Sequence, residues 1–284
     1  MSFVPMKELV QKAQKEKYAV GAFNCNNMEI VQAIVAAAEA EKAPVIIQAS
    51  QGAIKYAGIS YIVGLTRIAA EQASVPIALH LDHGTSFEQC VQCIHTGFSS
   101  VMIDGSKYPL AENIALTKKV VEIARAVGVS VEGELGKISG TEDDITVAER
   151  DAFFTDPEEA ALFCQETGVD ALAVAIGTAH GQYKGVPKLD FARLEEIVRR
   201  VSTPIVLHGS SGVPDEAIRE AINLGVAKIN IDTNIREAFT NAARRIIEDN
   251  PREIDPRKVL GPAREAATQI IREKIRLFGS SGKA

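Results

Sequence analysis

The chain has 284 residues, 46% hydrophobic and 24% charged, with a formal net charge of −6. These values describe a globular chain that buries about three quarters of its unfolded surface, and the acidic balance argues against nucleic acid or an anionic membrane as partner while allowing a local basic pocket. No apolar stretch approaches the roughly 18 residues of a membrane span, and residues 1–8 carry no signal-peptide pattern, so a cytoplasmic location is expected.

In chain order, the pattern predicts a helix over 5–16 and then eight short apolar strands: 18–25, 44–50, 76–83, 100–106, 130–136, 170–179, 204–208 and 227–233. Helical patterns follow each of them, over 28–41, 60–72, 87–96, 110–127, 157–167, 191–201, 214–224 and 234–248. Continuous apolar runs of this kind suit parallel strands buried on both faces, and eight regular units suit an α/β (β/α)8 TIM barrel. We expect a single domain over 1–284, in which 249–284 forms a C-terminal helical extension, with a helix over about 262–277, at the active-site rim or at a dimer contact. The four cysteines read as reduced, mostly buried thiols. Cys90 and Cys93 have redox-motif spacing but lie inside a helical pattern.

The ends of these strands are chemically unusual. Three of the five histidines close apolar runs as His-Gly pairs: His83-Gly84, His180-Gly181 and His208-Gly209. Three imidazoles with one open position form the ligand set of a catalytic divalent metal, zinc before others. Asp104 and Glu134 fall near the ends of the fourth and fifth strands, and Asn230, Asp232 and Thr233 close the eighth. Barrel active sites lie at these carboxyl ends. The small-residue run Gly209-Ser210-Ser211-Gly212 reads either as an ordinary turn or as a phosphate cradle, with Lys184 as an added cation. The long segment 137–154, with Glu142-Asp143-Asp144, reads equally as a solvated acidic loop or as a lid. His80 shares the barrel-facing side of Asp82, either orienting the site or packing as an interior His, and His95 reads as structural.

Several segments together resemble the class II, metal-dependent ketose-bisphosphate aldolases over essentially the whole length. They are Tyr18-Ala-Val-Gly-Ala-Phe-Asn24, His80-Leu-Asp-His-Gly84, Ser100-Val-Met-Ile-Asp104, Val131-Glu-Gly-Glu-Leu-Gly136, Gly140-Thr-Glu-Asp-Asp144, the two later His-Gly pairs and Lys228-Ile-Asn-Ile-Asp-Thr233. The resemblance implies the same barrel and cleavage of fructose 1,6-bisphosphate to dihydroxyacetone phosphate and glyceraldehyde 3-phosphate. It implies Zn2+ on His83, His180 and His208, with Asp104 and Glu134 able to hold a second divalent metal. Asp82 would exchange a proton with the C4 oxygen, and Glu142 would move the proton on the nucleophilic carbon. Gly181, Lys184, Gly209, Ser211, Asn230, Asp232 and Thr233 would hold dihydroxyacetone phosphate beside a monovalent cation (Na+ or K+), with Asn24 and Ser50 near the substrate. Members are usually homodimers or homotetramers. Ser139-Gly140 stands where the family often has Gly-Gly.

Three alternatives stand beside this reading. Tagatose 1,6-bisphosphate differs from the fructose compound only at C4, although the tail 255–264 and the ending 278–284 resemble the fructose members more. A Schiff-base aldolase would use Lys228 or Lys184 as nucleophile. A non-catalytic barrel subunit of a larger complex would need none of the acid and metal residues. For the distal phosphate, Arg257 and Arg264 are the candidates.

Overall fold

The computed structural model describes residues 3–142, 145–147, 153–181, 183 and 185–284, with the backbone only for 139–142 and 145–147. Helix α1 (Met6–Glu16) precedes β1 (Val20–Asn24), α2 (Met28–Glu41) and β2 (Val45–Ala49). Next come α3 (Gln51–Ala57), α4 (Ile59–Gln72), β3 (Ile77–Gly84), α5 (Phe87–Thr96), β4 (Ser100–Ile103), α6 (Leu110–Ala126) and β5 (Ser130–Leu135). A hairpin, β6 (Ser139–Glu142) and β7 (Ile145–Val147), leads to α7 (Pro157–Thr167), β8 (Ala171–Val174) and the short β9 (Ala179–His180). The chain ends with α8 (Phe191–Arg200), β10 (Ile205–Leu207), α9 (Asp215–Leu224), β11 (Val226–Ile231), α10 (Thr233–Asp249) and α11 (Pro256–Leu277).

Eight of these strands close a parallel barrel in the order β1-β11-β10-β8-β5-β4-β3-β2. This is the (β/α)8 architecture expected from the sequence. Alternation along each strand sends every second side chain inward. At the amino-terminal end the interior is apolar: Val20, Ala22, Ile46, Ala78, Ala171, Ala173 and Val206 pack against Met6, Leu9, Val10 and Ala13 of α1, which plugs the barrel floor. Further along the same strands the inward positions turn polar, with His80 and Asp82 on β3 and Glu132 and Glu134 on β5, all buried. Outward residues of the strands join the helices in a second, larger apolar core.

Local chemistry sets the helix boundaries. The side chains of Asn27, Ser50, Ser86, Asp156, Asp190 and Asp255 each accept a hydrogen bond from a backbone N–H in the first turn of the helix that follows. The Ser50 cap starts α3, a helix that the apolar pattern alone does not reveal. The Asp255-Pro256 pair likewise starts the last helix at Pro256 rather than near 262, and Pro262 lies inside it. The helical tail does more than extend the barrel. Ala263, Ala267, Ile271 and Ile275 form a buried stripe at every fourth residue, and α11 packs against α2, α10, α9 and β1. It thus closes the outer ring between α9 and α2. Helix α10, with Ile235 as its only buried residue among those described, lies outside it.

The sixth predicted strand departs from expectation. The barrel strand β8 stops at Val174, and Gly177 (φ 112°) turns the chain at a point where a Cβ would sit 2.5 Å from the Lys188 carbonyl oxygen. His180 therefore lies outside the barrel sheet, in β9. That strand pairs parallel to β6, with Gly140 opposite His180, in a small sheet of order β7-β6-β9. The segment predicted as a long loop or lid thus contains a hairpin that is hydrogen-bonded to a candidate metal ligand.

Candidate active site

The carboxyl mouth of the barrel gathers the candidate residues on rigid supports. His83 sits near the end of β3 with φ 49°, in the left-handed region. Pairing with β4 slips there, between Leu81 and Gly84. In a regular strand Asp82 and His83 would face opposite sides. The irregularity turns both toward the mouth, so that Asp82 Oδ1 lies 3.9 Å from His83 Nε2.

The three imidazoles converge at right angles. His83 Nε2 and His208 Nδ1 are 2.9 Å apart, and the His180 ring centroid lies 5.1 Å from that of His83 and 6.0 Å from that of His208. The opposite nitrogens face carboxylates: His83 Nδ1 is 3.3 Å from Asp104 Oδ2, and His208 Nε2 is 2.8 Å from Glu132 Oε1. Carboxylates only accept, so the outer nitrogens carry the protons and two lone pairs meet at the centre. Their separation is close to the ~3.3 Å edge of a tetrahedron with zinc–nitrogen bonds of about 2.0 Å. The donor set therefore fits a divalent cation. A second possible ligand group, His83 with Asp104 and Glu134, shares the His83 ring, and Glu134 Oε2 is 3.9 Å from its Nδ1.

His180 is held from its own segment and from a neighbour. The Tyr183 hydroxyl donates to the Gly209 carbonyl at 2.7 Å and accepts from the Ala179 N–H at 2.7 Å, clamping β9 to the end of β10. Burial pushes the Tyr183 phenol up to about 12, which keeps it a neutral donor. Gly209 has φ 61°, and a Cβ there would come within 2.5 Å of the Ala179 carbonyl oxygen. This is the physical reason for glycine after His208.

Asp82 is wholly buried and encircled by amides. Asn24 Nδ2 and Gln48 Nε2 donate to its Oδ2 at 2.8 and 2.9 Å, and Asn230 Nδ2 approaches Oδ1 at 3.3 Å. Gln48 also donates to Asn24 Oδ1 at 2.6 Å. Below lies a second polar tier: Lys228 Nζ is 2.9 Å from Glu132 Oε2 and donates to Asn230 Oδ1 at 2.8 Å, and His80 Nδ1 is 2.7 Å from Ser100 Oγ. Burial acts to raise Glu132, but the Lys228 ammonium and the His208 hydrogen bond outweigh it and hold the carboxyl well below the usual range. Burial, with the Lys228 charge, keeps His80 neutral well below its ordinary titration. Burial likewise opposes Asp104, and the His83 and Ser106 hydrogen bonds still keep it ionised well below the usual range. Lys228, a candidate Schiff-base nucleophile in the sequence, is fully buried and ion-paired, which leaves no path for a substrate carbonyl.

The remaining candidates fall into place around the mouth. Asn24 ends β1, Ser50 caps α3, and Gly181 follows β9. Gly209 and Ser211 lie in the turn after β10, where Ser211 Oγ meets the Asp232 N–H at 3.4 Å. Asn230 is the penultimate residue of β11, and Asp232 and Thr233 open α10. Lys184 lies outside the described residues, as does the side chain of Glu142. His95 is exposed on α5. Cys25, Cys90, Cys93 and Cys164 are free thiols, and burial pushes the first three up to about 12. Glu132, Gln48 and Tyr183 are contributors that the strand-end reading passes over. The first two stand two residues before Glu134 and Ser50, so period-two alternation was the available signal.

Beside the mouth, a cavity of about 530 Å3 is lined by Asn26, Asn27, Tyr56, Arg236, Phe239 and Thr240. Arg236 Nε pairs with Asp232 Oδ1 at 2.7 Å. Neither Arg257 nor Arg264 lines this cavity. Arg257, exposed in the first turn of α11, is paired with the capping Asp255, and Arg264 donates to Gln32 on α2.

A parallel barrel with convergent imidazoles and a fixed carboxylate at its carboxyl mouth has the make-up of a barrel enzyme. The sequence profile of class-II fructose-bisphosphate aldolase matches residues 4–283. The chain is 49% identical to a fructose-bisphosphate aldolase of Geobacillus stearothermophilus, covering 100% of this chain and 99% of that one. It is 46% identical to a sulfofructosephosphate aldolase of Alkalicoccus urumqiensis, with 100% and 99% covered. The crystal structure of the YdjI aldolase of Escherichia coli K12 superposes with a TM-score of 0.86 at 35% identity, covering both chains fully. The chain belongs to the class II fructose-bisphosphate aldolase family, and its activity is that of an aldolase, a carbon–carbon lyase.

Proposed function

We propose that this chain cleaves fructose 1,6-bisphosphate reversibly with zinc on His83, His180 and His208, acting as one domain. The observation that carries the reading is the 2.9 Å approach of His83 Nε2 to His208 Nδ1, with the Asp82 carboxylate 3.9 Å from the former. A divalent metal held there would act as a Lewis acid for the electrons left when C3–C4 breaks.

The chain's own residues carry the other tasks. Asp82 takes the C4 hydroxyl proton as general base, its oxygens aimed by Asn24, Gln48 and Asn230. The turn Gly209–Gly212 and the start of α10 receive the dihydroxyacetone phosphate end through backbone N–H groups, with Ser211 and Asp232 fixed against each other. Gly181, Lys184 and Thr233 belong to the same pocket, beside a monovalent cation. Ser50 joins Asn24 at the substrate rim. Glu142 is the acid that protonates carbon. Asp104 and Glu134 serve a second metal position, which competes with the first for the single lone pair of the neutral His83 ring. For the distal phosphate, the cavity beside the mouth favours Arg236 over Arg257 and Arg264.

Among the described residues no helix is long and apolar enough to cross a membrane. The four free thiols support a reducing, cytoplasmic setting. We also propose a homodimer or homotetramer, which light scattering checks.

The deciding experiment compares kcat/KM for the fructose, tagatose and sulfofructose phosphate substrates, before and after EDTA and with zinc restored. Preference for fructose 1,6-bisphosphate, abolished by EDTA and restored by zinc, is the expected result. Preference for either other sugar would keep the mechanism and change the substrate. Turnover that survives metal removal would overturn the metal centre.

A further inference from the structure

The inner barrel tier beneath the site has no direct task in the chemistry above, yet its charges are deeply buried and joined to both halves of the site. Glu132 and Lys228 have no exposed surface. Burying such a pair is expensive, because both charges give up water for one partner. Glu132 Oε1 lies 2.8 Å from His208 Nε2, and Glu132 Oε2 lies 2.9 Å from Lys228 Nζ and 3.6 Å from His80 Nε2. Lys228 Nζ in turn donates to Asn230 Oδ1 at 2.8 Å, and Asn230 Nδ2 reaches Asp82 Oδ1 at 3.3 Å.

The donor count leaves one arrangement. A carboxylate at 2.8 Å obliges His208 Nε2 to carry hydrogen, so the lone pair of the neutral ring is on Nδ1, the atom 2.9 Å from His83 Nε2. Without the carboxylate, the ring is free to exchange tautomer, which protonates Nδ1, or to rotate about Cβ–Cγ, which displaces it, and either change takes the Nδ1 lone pair off the metal position. We propose that Glu132, locked in place by Lys228, is a positioning residue that fixes the tautomer and orientation of His208 and thereby sets the affinity of the site for a divalent metal. The inference rests on the reading that His83, His180 and His208 hold that metal. It adds that one ligand binds through Nδ1 and another through Nε2, and that a salt bridge in the tier below decides which.

The test uses the full-length protein with zinc as the probe. Zinc affinity is measured by competition with a chromophoric chelator for wild type, Glu132→Gln and the double variant Glu132→Met/Lys228→Met. The double variant removes both charges together, so that neither remains buried alone. Thermal melting of the metal-free proteins reports folding. 15N NMR of the His208 ring reports the tautomer, which a merely structural role would not move.

Wild type is expected to show a protonated Nε2, and both variants to bind zinc about 10- to 100-fold more weakly with a mixed or reversed His208 tautomer, even where the double variant melts like wild type. Wild-type zinc affinity in a folded double variant with an unchanged tautomer would overturn the positioning role. Failure of wild type to bind zinc, or unchanged affinity in His208→Ala, is a different result that overturns the metal centre and this inference with it.

Discussion

Gln48 Nε2 donates to Asp82 Oδ2 at 2.9 Å from the neighbouring barrel strand, and with Asn24 it fixes the plane of the carboxylate. The orientation of the proposed base thus depends on an amide in an otherwise apolar strand. Asp82→Asn should retain zinc and lose about 10²- to 10⁴-fold in kcat. Gln48→Met should lose up to about 100-fold through misalignment while Asp82 and zinc remain in place. Steady-state kinetics beside a zinc titration check both, and unchanged kcat in Asp82→Asn would remove it as the base.

Metal should stabilise as well as activate. A cation bound by three imidazoles of the folded chain has no comparable site in the unfolded one, so free zinc at 100 times its Kd should add about 2.7 kcal/mol. Calorimetry with and without EDTA should therefore show a higher Tm for the zinc form. Equal melting temperatures at saturating zinc would contradict the convergence of His83, His180 and His208.

Among the described residues, Arg236 is the cation that lines the cavity beside the mouth. Arg236→Gln should lower kcat/KM for fructose 1,6-bisphosphate by about 10- to 100-fold, the worth of a charge-assisted hydrogen bond. A ketose substrate with no distal phosphate should be cleaved by the variant nearly as well as by wild type. Equal losses on both substrates would assign Arg236 a structural role through its pairing with Asp232.

The tail helix is pinned by one acid. Glu41 accepts from Arg272, Arg276 and Ser281. The Arg276 hydrogen bond, opposed by burial and reinforced by Arg272 and Ser281, draws its carboxyl down to about 2. A depressed carboxylate contributes stability that is fully present above its unfolded pKa and lost as pH falls through its folded one. Glu41→Gln should therefore cost about 1 to 2 kcal/mol at pH 7 after solvent screening. Relative to wild type, that cost should shrink as pH drops from about 4.5 toward 2. Urea unfolding at several pH values checks this, and a pH-independent difference would point to packing instead.

The architecture, and the place of most candidate residues within it, were legible in the sequence. Eight apolar runs of strand length admit few folds, and the barrel rule then places His83, His208, Asp104, Glu134 and Asn230 at one mouth. The rest depends on contacts distant in sequence. His180 left the barrel sheet because Gly177 turns the chain and β6 offers a new partner, a pairing that no local pattern announces. Asp82 and His83, adjacent and hence nominally on opposite faces, point to one centre because β3 slips against β4 and His83 takes a left-handed conformation. Helix α11 closes the outer ring because its stripe of small and branched residues fits between α9 and α2, which a periodicity reading shows as amphipathic but cannot dock. Glu132 and Lys228 sit on strands that are not neighbours in the barrel, and only closure brings them within 2.9 Å. A charge in the middle of an apolar strand is visible in the sequence, whereas the group that neutralises it is a property of the closed barrel.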